Sequence, residues 1–294
     1  MKALALKALA PGTLRAYSAA WGDWQEYMAS SGRGKSWQDA ILEFVWLWHE
    51  RGRSKATMSS ALAGIFYFSR LEGLIDPTKS FILTRALRGW AKEQLRFSDD
   101  RRPIDIGLLK DLVTAVSGIA LGDYETNLFS LAFVLAFFGA LRIGELVAKS
   151  KRSTETGIMA GNVVIKRDMM LVKIQRSKMD QLGKGKWISV PAHPESSICP
   201  VKLAEIYCQN RPSGGRQWLV HRDLIPLSRF QFTSVLKKCL IALDLPLEQY
   251  GTHSFRIGAA TCAAAAGSSG EEIKRLGRWK SDAYKVYIRG DKLR

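Results

Sequence analysis

The chain has 294 residues, 47% of them hydrophobic and 24% charged, which excludes a disordered polymer and leaves enough apolar material for two modest cores. Its formal charge of +17 is spread along the chain and exceeds what solubility requires, so a polyanionic partner is expected. The longest apolar run, Leu128 to Leu141, falls short of the roughly 20 residues a membrane span needs, and no membrane segment is expected.

The first residues, MKALALKALAPG, have a signal-like start, but Lys7 interrupts the apolar stretch and an Ala-Pro-Gly break follows, so the protein is not expected to be secreted. Cys199, Cys208, Cys239 and Cys262 lack CxxC spacing and read as free thiols of a reducing compartment. From Pro11 to about Ser31, Leu14, Tyr17, Trp21, Trp24 and Met28 recur at helical spacing. Ser36 to His49 repeats the pattern with Ser36 as N-cap, and Thr57–Leu71 and Phe81–Leu95 make two more helices. Residues 1–95 are therefore expected to form a helical domain in which Trp21, Trp24 and Trp48 are core rather than platforms for bases. Arg33, Lys35, Arg51, Arg53 and Lys55 gather at helix junctions and are the candidate DNA contacts of this domain.

The polar stretch RFSDDRR before Pro103 places an interdomain linker at residues 96–103, with a second domain over 104–294. There, a helix over Asp105–Val116 precedes the apolar helix Leu128–Leu141, which leads straight into Arg142-Ile143-Gly144-Glu145. An arginine after a buried helix must face an opening, an anion or Glu145. Between Asn162 and Val190 the apolar period changes to two, predicting strands at Asn162–Lys166, Met170–Gln175 and Trp187–Val190 in a small antiparallel sheet. The turn SKMDQLGKGK carries Lys178, Lys184 and Lys186 on what should be a mobile hairpin. Helices from Cys199-Pro200 through Tyr207 and over Ser228–Leu243 follow. The expected class is mainly α with a small antiparallel sheet in the second domain.

Two motif matches fail on context. His221-Arg222-Asp223-Leu224 copies the start of a kinase catalytic loop, but Ser228 stands where asparagine is required. Gly183-Lys184-Gly185-Lys186 is too short for a phosphate-binding Walker loop. The histidines and cysteines are not spaced as metal ligands, and no metal or cofactor is expected. The run Gly251 to Arg289 carries different chemistry. His253 and Arg256 lie at i and i+3 on one helix face, where both can donate to a phosphodiester, and a tyrosine further on could attack that phosphate.

Read together, these segments resemble the tyrosine recombinases, the phage-type integrase family. Gly139-Ala140-Leu141-Arg142-Ile143-Gly144-Glu145-Leu146 resembles the first box, with its arginine and nearby acidic residue, and His253-Ser254-Phe255-Arg256 resembles the second. Gly277-Arg278-Trp279, shortly before Tyr287-Ile288-Arg289, resembles the closing element of Cre-like members, with tryptophan in place of histidine. The wording GRWKSDAYKVYIR is most similar to recombinases of DIRS-like retrotransposons.

The resemblance implies a helical, SAM-like core-binding domain and an α+β catalytic domain that clamp double-stranded DNA and assemble as a tetramer. It implies a site of Arg142, Glu145, Lys178, His253, Arg256, Trp279 and Tyr287. Lys178 is favoured over Lys184 and Lys186, and Tyr287 over Tyr284. Arg142 and Arg256 would hold the nonbridging oxygens, and Lys178 would protonate the leaving 5′ oxygen. His253 would move the proton of Tyr287, and Trp279 would offer its indole N–H to the phosphate and pack the C-terminal helix. Glu145 would orient its neighbours. The implied product is a 3′-phosphotyrosine that is religated without metal or ATP, in the integration or excision of a mobile element. A silent DNA-binding descendant or a type IB topoisomerase are the alternatives. The location would be nuclear in a eukaryotic host and the nucleoid otherwise. Relatives carry a further C-terminal helix that docks on a neighbour; here Arg289 is followed by five residues, so assembly is expected to use other surfaces or more chain.

Overall fold

The computed structural model describes residues 1–94, 100–153, 155–175 and 185–290, and the chain divides into two compact units, Met1–Asp99 and Asp100–Arg294. The first contains helices α1 (Lys2–Lys7), α2 (Pro11–Ser30), α3 (Trp37–Glu50), α4 (Lys55–Leu71) and α5 (Phe81–Glu93). Serines set three of the starts: Ser36, Ser54 and Ser80 each accept a backbone N–H from the residue three further on, satisfying a donor that the first turn leaves orphaned. Pro11 opens α2, where its missing N–H costs nothing. The stripes meet in a core of Trp24, Tyr27, Ile41, Phe44, Met58, Ile65, Leu83 and Trp90. Trp24 is buried, and Trp21 and Trp48 pack against this core, as their spacing predicts. At Gly64 a Cβ would lie 2.8 Å from the Tyr17 Cα, so glycine is what lets α4 close on α2.

The second unit runs α6 (Ile106–Ser117), α7 (Asp123–Phe138), α8 (Ile143–Leu146), β1 (Val163–Ile165), β2 (Met169–Ile174), β3 (Lys186–Pro191), α9 (Pro200–Asn210), α10 (Arg229–Ala242), α11 (Ser254–Ala265) and α12 (Gly270–Gly277), then a 3-10 helix over Asp282–Tyr287. The strands form an antiparallel sheet in the order β1-β2-β3, with Val163 opposite Val172 and Ile174 opposite Lys186. All residues from Leu128 to Phe137 are buried, making α7 the central rod of this unit. Phe133 sets its ring 5.0 Å from that of Phe232 on α10 and 5.5 Å from that of Phe255 on α11.

Two sequence-based boundaries need correction, and both matter to the site. Helix α7 ends at Phe138, not Leu141: Gly139 caps it and Ala140 takes φ +41°, a left-handed conformation that no helix continues through. The turn frees the Gly139 and Ala140 carbonyls from the helical ladder. The element carrying Tyr287 is a six-residue 3-10 helix instead of an α-helix, and α12, capped reciprocally by Ser269 and Glu272, is an element that the sequence reading did not place.

Residues 102–104 lie across α11. Arg102 N–H donates to the Gln249 carbonyl and Ile104 N–H to that of Ser254, and Ile104 is fully buried. A Cβ on Gly258 would sit 1.7 Å from the Ile104 carbonyl oxygen, so Gly258→Ala is expected to destabilise the fold by ~2 kcal/mol or more. Urea unfolding followed by circular dichroism checks this; an unchanged midpoint would contradict the packing.

Candidate functional site

Three segments far apart in sequence converge beside the turn that ends α7. The first is α8, four residues long, with Arg142 as its N-cap. Glu145 turns back on it: one carboxylate oxygen accepts the Arg142 guanidinium at 2.9 Å and the other its backbone N–H at 3.0 Å. The Glu145 side chain is 3% exposed and also accepts Arg278 at 2.8 Å. Burial pushes the Glu145 carboxyl up, but the charge of Arg278 and the hydrogen bonds and charge of Arg142 outweigh it, and the net shift is downward. Its share of stability is therefore complete above the ordinary carboxylate range and is lost as pH falls through the depressed value.

The second segment is the first turn of α11. Arg256 is 1% exposed. One of its terminal nitrogens donates to the Ala140 carbonyl and the other, at 3.0 Å, to that of Gly277. Its guanidinium carbon lies 4.5 Å from the Trp279 ring centre and 5.6 Å from that of Tyr287. Burial, with repulsion from Arg142 and Arg278, lowers the Arg256 pKa, while Glu145 and Tyr287 oppose that. An arginine under these pressures remains charged at neutral pH. His253, the N-cap of this helix, is exposed.

The third segment is Gly277 to Tyr287. A Cβ at Gly277 would strike the Trp279 ring at 1.7 Å, so the glycine lets the indole fold back over Arg256. Trp279 and Tyr287 set their rings 5.0 Å apart. Thr261 of α11 donates from its hydroxyl to the Tyr287 carbonyl at 3.1 Å and accepts the Arg289 N–H at 3.0 Å, tying the tyrosine segment to the helix that carries Arg256. Tyr284 is buried with Ala260 and Ile273, its ring 5.7 Å from the Lys274 ammonium. Thus Tyr287 shares the arginine cluster, and Tyr284 faces a lysine of α12.

Known proteins resemble this chain in sequence and in fold. No family model matches the chain. The chain is 24% identical over 301 residues to an integrase/recombinase XerD homologue of Selenomonas ruminantium, covering 94% of this chain and 80% of that one. The chain thus resembles integrases and recombinases in sequence and in fold. Its fold agrees with two solved structures. A lambda integrase dimer bound to a COC′ core site matches 100% of this chain and 76% of its own, with TM-score 0.64 and 17% identity. The XerH site-specific recombinase bound to its difH substrate before cleavage matches 94% and 75%, with TM-score 0.63 and 14% identity. The chain shares with these neighbours a mainly helical fold, and its own sheet is small and antiparallel.

Arg142, Glu145, Arg256, Trp279 and Tyr287 lie together in one cluster, with His253 one turn from Arg256. Residues 176–184, with Lys178 and Lys184, lie outside the described residues; Lys186 is exposed at the start of β3. Sequence reasoning missed Arg278 and Thr261. A polar residue inside the alanine-rich run of α11 was the available sign for Thr261. Arg278 stood inside the Gly277-Arg278-Trp279 match, but nothing local showed that its side chain reaches Glu145.

The five basic residues of the helical unit are exposed or half-buried. Arg33 and Lys35 precede α3, and Lys35 is paired with Glu43. Arg51, Arg53 and Lys55 follow α3, with the Arg53 guanidinium 5.8 Å from the Trp48 ring centre. At about 1.5 Å per residue, the two sets stand roughly 20 Å apart at opposite ends of α3, so they form two patches. No helix among the described residues is long and apolar enough to cross a membrane.

Proposed function

We propose that the protein is a site-specific DNA recombinase that breaks and rejoins strands through a 3′-phosphotyrosine on Tyr287, serving the integration or excision of a mobile element. The observation that carries this is the convergence of three guanidiniums, one buried carboxylate and the Tyr287 ring from segments 142–145, 256 and 278–287. Cleavage without a metal needs fixed positive charge at a pentavalent phosphorus, and a preorganised arginine cluster supplies it without reorganisation. Arg142, with 26% of its side chain exposed, is the guanidinium open to a nonbridging oxygen. Arg256 adds charge from beneath the Trp279 and Tyr287 rings. Lys178 is the general acid for the 5′ oxygen and His253 the proton carrier for Tyr287. Double-stranded DNA is the partner, gripped in part by Arg33, Lys35, Arg51, Arg53 and Lys55, and a tetramer is the recombining assembly. The residues 1–95 act as the core-binding domain, joined by 96–103 to the catalytic domain 104–294. The narrower kinship with DIRS-like elements rests on the wording around Trp279 and Tyr287, and would place the protein in a nucleus.

A random-sequence duplex library nicked one to three bases beyond each potential scissile phosphate tests this reading, because loss of the short 5′-hydroxyl fragment traps any covalent intermediate. Denaturing gels should show a DNA–protein adduct, and peptide mapping should place the DNA on Tyr287. DNA retention without any adduct would favour a silent binder. Relaxation of supercoiled plasmid without recombination between two captured sites would favour a topoisomerase.

A further inference from the structure

We infer that Arg278 is a positioning residue of the site, acting through Glu145 to hold Arg142 in place for the scissile phosphate; this rests on the recombinase reading above. Its backbone is the first sign. Arg278 caps α12 in the left-handed conformation, φ +58° and ψ +39°, a position that helix ends usually give to glycine. A side chain there is retained against the local preference, so its contacts should account for it.

Apart from a local bond to the Leu276 carbonyl at 3.3 Å, those contacts lead to the turn that presents Arg142. One terminal nitrogen of Arg278 donates to the Gly139 carbonyl at 3.0 Å, and the other to the Ala140 carbonyl at 3.1 Å and to Glu145 at 2.8 Å. The guanidinium thereby joins the closing element, the end of α7 and the carboxylate in one fork, a geometry that lysine cannot reproduce. Exposure separates the roles of the two arginines on Glu145: the Arg278 side chain is 9% exposed and that of Arg142 26%. Arg278 is built in; Arg142 retains an open side. With one carboxylate oxygen engaged by Arg278 and the Arg142 N–H, the other accepts the Arg142 side chain and fixes its aim.

Single-turnover cleavage of the captured nicked duplex tests the inference. Arg278→Ala should cleave about 10²-fold more slowly, the scale of a small misplacement of a catalytic group, with DNA affinity near that of the parent. Arg278→Lys should recover only part of the rate. Loss of Arg278 removes a charge that holds the Glu145 carboxyl down, so the acid limb of the cleavage profile should move to higher pH. Because Arg278 acts through Glu145, the Arg278→Ala, Glu145→Gln double variant should be no slower than Glu145→Gln alone. An unmoved acid limb, additive rate losses, or full recovery by lysine would overturn the inference. Carbon-13 NMR titration of the glutamates in the free protein gives a readout independent of cleavage: one carboxyl should titrate higher in both Arg278 variants, more so in Arg278→Ala, and unchanged titrations would also overturn it. If the parent protein forms no adduct, the recombinase reading fails, while this titration still decides whether Arg278 governs Glu145.

Discussion

Tyr287→Phe should fold, bind DNA and form no covalent adduct, with single-turnover cleavage reduced by about 10⁴-fold or more, the scale seen when a nucleophile is removed. The substitution deletes one oxygen. The ring's packing against Trp279 and its place over Arg256 involve the aromatic face, and the bond from Thr261 goes to the backbone carbonyl, so all three survive. Tyr284→Phe serves as the comparison. That ring is buried with Ala260 and Ile273 and faces Lys274, away from the arginines, so the variant should trap DNA as the parent does. If Tyr284→Phe loses trapping and Tyr287→Phe keeps it, the nucleophile has been misassigned.

Why the helices and strands were readable in advance, and the contacts of Arg278 were not, follows from what each kind of residue imprints on a sequence. Helical stripes such as Leu14 to Met28 and the alternation in Met169–Ile174 report burial directly, because the apolar period must match the element that buries it. The cap at Ser36 announced a helix start for a similarly local reason. Arg142 was legible through contrast, a charge at the end of a buried run. The end of α7 was not, because Ala140 in a left-handed conformation is a tertiary outcome: its carbonyl meets Arg256 and Arg278, more than a hundred residues further along. Gly277 and Gly258 likewise look like ordinary glycines until an indole and a carbonyl are found against them. The helix α12 is a local failure, since Ser269 and Glu272 form a capping pair that the sequence displayed.

Arg256 is where removing one side chain should cost most in both folding and chemistry. Truncation in Arg256→Ala takes a donor from the Gly277 carbonyl and opens space under Trp279, whereas Ala140 keeps a bond from Arg278. An orphaned buried acceptor and a cavity together point to a loss of about 3 kcal/mol or more. One term opposes this: Arg142, Arg256 and Arg278 share a single carboxylate, so deletion also relieves repulsion in the free protein. That repulsion is what an arriving phosphate cancels. The parent should therefore gain more thermal stability from a short duplex or from inorganic phosphate than Arg256→Ala does. Arg256→Lys separates folding from catalysis. It keeps a charge and should fold, but an ammonium cannot bridge two carbonyls while lying flat beneath the indole, and cleavage should fall about 10²–10³-fold. Melting curves with and without phosphate, beside single-turnover cleavage, check each part. Equal stabilisation of parent and Arg256→Ala would mean that the cluster is balanced already and that its positive charge is structural, not held ready for a phosphodiester.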